Sequence, residues 1–162
     1  MLDSMPIVTL LTLATLIGVI AGLRTMMAPA AVSWAAALGW LDLSGTGLAF
    51  LGYTWTPWIL TVLAAGELVT DQLPSTPSRT VPVQFGARLV SGALAGAAFG
   101  AAADMLLVGA MAGAIGAVIG TLGGHALRAR LAAAFRKDRP AALIEDAIAI
   151  AGAFLIVSAA RA

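Results

Sequence analysis

The chain has 162 residues, of which 60% are hydrophobic and only 10% charged, against roughly 25% charged in soluble domains. That composition excludes an ordinary water-soluble domain and fits one compact membrane domain, residues 1–162, with no room for a separate soluble module. A net charge of +1 argues against nucleic acid as a partner, and the absence of cysteine removes disulfides, thiol nucleophiles and thiolate metal sites.

Met5 to Leu23 is apolar over nearly the 20 residues that a spanning helix needs, and Asp3 stands where a cleavable signal would carry a basic flank. It is expected to be a first transmembrane helix ending at Gly22-Leu23-Arg24. The next segment, Arg24 to Leu41, is clean only from Pro29 onward. Thirteen residues reach about 20 Å, so the segment is either a short span starting near Thr25 or a broken, re-entrant element. Asp42 to Thr56 is a loop, and its Tyr53 and Trp55, with Trp58 just beyond, form the kind of aromatic belt found at headgroup level.

Pro57 to Pro74 is the unusual helix, because it carries Glu67 and Asp71 among apolar residues. An acid at the centre of a membrane helix costs roughly 2.5–3.5 kcal/mol, so such groups face the protein interior, a partner charge or a water-filled path. Four residues apart, the two acids share a helix face. Counted from Pro57, Glu67 lies about 15 Å into the helix, which predicts a depth near the midplane.

A Pro/Ser-rich connector follows and divides the chain into possible halves, 1–76 and 77–162. Val83 to Ala103 reads as a fourth helix carrying Arg88 and Met105 to Gly124 as a fifth. Gly92, Gly96 and Gly100 line one of them, and Gly109, Gly113, Gly116 and Gly120 the other. Glycines four apart let helix backbones approach closely, so these stripes are expected to pack on each other or, in a homo-oligomer, on a second copy. His125 to Pro140 is the most basic stretch, with Arg128, Arg130 and Arg136, and reads as a loop. Pro140 to Ala160 is a sixth helix with Glu145 and Asp146 in its first two turns, where acids also suit the helix dipole.

The expected fold is therefore all-α, with about six transmembrane helices. The positive-inside rule places the 125–140 loop in the cytoplasm, as for a bacterial inner-membrane protein, and eight of the nine basic residues then fall inside, with Arg161 as the exception. Three helices before the connector and three after it enter from opposite sides, the geometry of an inverted repeat. The similar stretches Gly18 to Leu23 and Ala117 to Leu122 are weak support for a duplication, since small-residue helices resemble one another by composition.

Orientation also gathers Glu67, Asp71, Arg24, Arg88, Glu145 and Asp146 into one half of the membrane. Three functions compete for that cluster. It could bind an ion or small polar solute in a transporter or channel; it could only fix helix packing in a structural or assembly protein; or the protein could handle lipid, with Arg128, Arg130 and Arg136 holding anionic headgroups. An enzyme is disfavoured: His125 is the one histidine, no metal or cofactor motif is present, and no nucleophile is paired with a base.

Gly22 to Thr25 followed by a proline, Glu67 to Pro74, and the glycine-rich helices after them resemble a family of small bacterial integral-membrane proteins classed as domain of unknown function 4126. The resemblance spans nearly the whole chain and implies the six-helix architecture, with Arg24, Glu67 and Asp71 as the family's polar positions. Where the family commonly has a lysine after the aspartate, this chain has Gln72, which removes an ion pair from that position. The resemblance implies no activity.

Overall fold

The computed structural model describes residues 6–71 and 81–161. Six α-helices are present and no strand among them: α1 (Ile7–Leu23), α2 (Met27–Ala37), α3 (Thr56–Thr70), α4 (Pro82–Ala101), α5 (Leu106–Phe135) and α6 (Asp138–Ala159), with a 3-10 turn at Ala49–Gly52. The proposed boundary between halves and most of the Pro/Ser connector lie outside the described residues.

The centre of the bundle is built on glycine. Gly92, Gly96 and Gly100 of α4 face Gly113, Gly109 and Met105 of α5 in descending order, so these two helices are antiparallel. Gly18 and Gly22 of α1 meet Gly113 and Gly120 in ascending order, so α1 runs parallel to α5. A Cβ on Gly113 would overlap the Gly92 carbonyl oxygen and come within 2.9 Å of Gly96 Cα, so backbone touches backbone. Such backbone contact is the packing that glycines four apart allow between helices. The glycine faces are thus occupied within one chain, and the oligomer expected through them has no free stripe at these positions.

One sequence expectation needs correction. The basic stretch 125–140 is not a loop: α5 continues to Phe135 and only Arg136 and Lys137 connect it to α6. His125 to Phe135 is rich in the strong helix formers alanine, leucine and arginine and holds no glycine or proline, which break helices. Arg136 makes the turn with φ of 52°. The similar stretches lie in α1 and α5, which are first and second in their respective halves, and the helices of the two halves differ, at 17, 11 and 15 residues against 20, 30 and 22.

α5 and α6 are long and apolar enough to cross a membrane, whereas α1, α2 and α3 are shorter apolar helices. At 11 residues α2 rises about 16 Å, half of a 30 Å hydrocarbon core. α3 packs mainly on α2 and the 3-10 turn. The Ser33 hydroxyl donates to the Leu51 carbonyl, tying that turn to α2. In the preceding loop Asp42 accepts from the Ser44 hydroxyl at 2.6 Å and its amide at 2.9 Å, and these bonds hold the Asp42 carboxyl below its ordinary value.

Candidate functional site

The site is a break in the helix path. α1 stops at Leu23, Arg24 is extended (φ −140°, ψ 114°), and α2 resumes at Met27. Stopping one helix and starting another leaves terminal carbonyls and N–H groups without intrahelical partners. Gly22 to Thr25 are buried, so water does not supply those partners.

Side chains supply them, with the sign that each helix end prefers. The Arg88 Nη1 donates to the carbonyls of Gly22 at 2.9 Å and Leu23 at 2.8 Å, placing a cation at the negative end of α1. Glu67 accepts the Thr25 amide on Oε1 at 2.6 Å and the Met26 amide on Oε2 at 2.7 Å, placing an anion at the positive end of α2. The Ser91 hydroxyl donates to the Thr25 carbonyl. Glu67 is thus a capping carboxylate reaching across from another helix.

The Arg24 side chain leaves the break in the opposite sense. It is wholly buried, donates to Asp71 through Nη1, and places Nη2 2.5 Å from Asp146 Oδ1. One guanidinium therefore serves two carboxylates on two elements, the C-cap of α3 and the third turn of α6. Asp71 and Asp146 keep 14% and 10% of their side-chain surface exposed. Arg88 Nη2 adds longer contacts of 3.9 Å to both Glu67 and Asp71. Arg24 Nε is buried without an acceptor.

Of the residues expected in one cluster, Arg24, Arg88, Glu67, Asp71 and Asp146 come together. Glu145 is buried beside Arg128, with 3.8 Å between Oε2 and Nη1. Arg128 also clasps Asp138 through two bonds of 3.0 and 2.6 Å, so it is engaged inside the chain, while Arg130 and Arg136 are exposed. The depth differs from the midplane estimate: α3 ends at Thr70, so Glu67 stands in its last turn and the network sits toward one end of the bundle. Sequence reasoning missed Ser91 and the backbone groups of residues 22–26, because a carbonyl or amide left open by a break has no signature in residue type. Gly22-Leu23-Arg24-Thr25 was the one usable signal: an arginine and a polar residue directly after an apolar run.

Glu67→Gln should lower stability by about 1–3 kcal/mol, because an amide accepts only one of the two N–H groups and carries no charge for the helix dipole. Denaturant unfolding in detergent measures this, and an unchanged midpoint would remove Glu67 from the capping role.

A comparison with family models matches residues 11–161 to the family described as Domain of unknown function (DUF4126). No curated protein and no solved structure matches. The match covers most of the chain, and the chain belongs to that family.

Proposed function

We propose that this DUF4126 family member is a small six-crossing membrane protein that moves a proton or other small cation, alone or with a polar solute, past the α1–α2 break. The observation that carries the reading is the sharing of buried Arg24 between Asp71 and Asp146, two carboxylates on different elements. Ionisable groups in such surroundings mark ion paths more often than packing alone requires. Broken helices meeting at a charged site are a recurring transporter device.

The apolar outer surface supports the membrane setting. Leu107, Met111, Ile115, Ile119 and Leu122 on α5 and Phe154 and Leu155 on α6 are exposed large hydrophobics, more than an aqueous surface tolerates in continuous stripes. The positive-inside rule puts the α5–α6 turn, with exposed Arg130, Arg136, Lys137 and Arg139, in the cytoplasm. In this orientation α2 and α3 form a hairpin from the break to the outer loop and back.

The latch in this scheme is electrostatic. Protonating Asp71, or replacing Arg24 on it by an incoming cation, frees the inner end of α3 from Arg24 and leaves the guanidinium to Asp146. The Glu67 bonds to the Thr25 and Met26 amides still hold that end of α3, so Asp71 turns away from Arg24 about that contact. The acceptorless Arg24 Nε gives the guanidinium a reason to rearrange.

Proteoliposomes with an internal pH dye and a panel of cations test the proposal. Wild type should dissipate a proton or cation gradient. Asp71→Asn, which removes the negative charge while keeping the side chain's shape, should reduce flux to the level of empty vesicles with the thermal midpoint retained. Equal flux in wild type and Asp71→Asn overturns the reading.

A second reading has its own observation. Glu67 and Arg88 are engaged in capping two helix ends, as a purely fold-fixing network requires. It replaces the first if no gradient is dissipated and Asp71→Asn changes only the thermal midpoint.

A further inference from the structure

α2, α3 and α6 enclose a cavity of about 410 Å³, apart from the charge network and open to the outside of the bundle. Its wall includes Met27 at one end and Trp40 at the other, with Trp34, Ala65, Leu68 and Phe154 between them. The volume lies within the 300–1,000 Å³ of ordinary ligand pockets. We propose that this groove is a binding site for one acyl chain of an anionic phospholipid of the outer leaflet, with the headgroup phosphate on Arg161.

The lining decides the class of occupant. Along its depth the side-chain donors and acceptors are already used, and the other indole, Trp40, stands at the mouth: Trp34 Nε1 donates to the Thr61 hydroxyl at 2.9 Å, and that hydroxyl donates to the Pro57 carbonyl at 2.7 Å. A polar solute would lose its hydration there and gain no hydrogen bond, whereas an alkyl chain loses nothing. Depth agrees, because the groove follows α2, whose rise of about 16 Å is one leaflet of the hydrocarbon core.

The mouth supplies the charge. The Arg161 guanidinium lies 5.5 Å from the centroid of the Trp40 ring, one of the groove's own walls, and Arg161 is exposed. It is the one basic residue that the orientation rule leaves on the outer side, against eight on the other. A cation stacked on an interfacial tryptophan at the head of an alkyl-lined groove matches a phosphodiester above its acyl chain.

The test is native mass spectrometry of the full chain released from micelles containing equal amounts of phosphatidylglycerol and phosphatidylcholine. Wild type should retain one phospholipid per chain, with phosphatidylglycerol favoured about fivefold, the effect of one cation near a membrane surface. Arg161→Gln should bring the ratio to about one while the lipid stays bound. Ala65→Trp, which fills the groove, should eject the lipid. If Ala65→Trp does not fold, Arg161→Gln decides alone, because Arg161 is exposed and its loss leaves the core untouched. Wild type without retained lipid, a dimer covering the groove instead, or an unaltered headgroup ratio in Arg161→Gln overturns the proposal.

Discussion

Arg24→Ala is expected to lower the free energy of unfolding by about 3–5 kcal/mol, the range found when one partner of a buried ion pair is removed. The loss does not come from the pair's own attraction. It comes from leaving Asp71 and Asp146 close together in a poorly hydrated place with no cation between them. Arg24→Lys should recover little, because a single ammonium cannot present two separate edges to carboxylates on α3 and α6 as the guanidinium fork does. Adding Asp71→Asn and Asp146→Asn to Arg24→Ala should restore part of the loss, since neutral amides no longer repel, and the coupling appears as non-additivity in a mutant cycle. Denaturant titration of the purified variants in detergent provides the measurement. A fully stable Arg24→Ala would show that the guanidinium is dispensable to the fold and that the carboxylates find other partners.

Gly113→Ala is expected to be similarly damaging for a different reason. One methyl group at this position meets the Gly92 carbonyl and Gly96 Cα, both backbone, so no rotamer change relieves the overlap. The helices must separate, and overpacking of this kind costs about 1–3 kcal/mol, occasionally more. Separation would also loosen α1, because Gly18 rests on the Gly113 backbone. Gly123→Ala in the same helix is the control: a Cβ there has nothing within 4 Å, and alanine's helix propensity should add up to about 1 kcal/mol. Opposite signs for two Gly→Ala changes ten residues apart would separate packing from propensity. A neutral Gly113→Ala would mean that α4 and α5 have slack at their closest approach.

Much of this arrangement was legible in the residues. Pro57 and Pro82 mark helix starts because a missing N–H costs nothing in a first turn, and both helices begin beside them. The acids of α3 were conspicuous because apolar segments exclude charge, and Arg24, Arg88 and Asp146 followed from counting helix directions. Limits appeared wherever a residue's partner was backbone. Glu67 looked like half of an acidic site with Asp71, yet its oxygens are taken by two amides, and spacing on one helix carries no information about a break in another. Arg128 looked like a headgroup ligand in a basic loop, but helix continuation to Phe135 turned it toward Asp138 and Glu145. The glycine stripes gave their close approach correctly and not its partner, since one chain or two satisfy the same small-residue pattern.

The order in which the α1–α2 break receives its partners bears on biogenesis. Residues 22–26 are synthesised long before Glu67, Arg88 and Ser91, the groups that close their open amides and carbonyls. On the six-crossing reading, α2 therefore reaches the translocon too short to insert alone and with an uncapped start. Stable insertion of that region must wait until α3 has emerged to supply its carboxylate and α4 its guanidinium. On that reading α1 to α4 enter as one late-committing unit, and the interval before α4 emerges is the one in which the break lacks its partners.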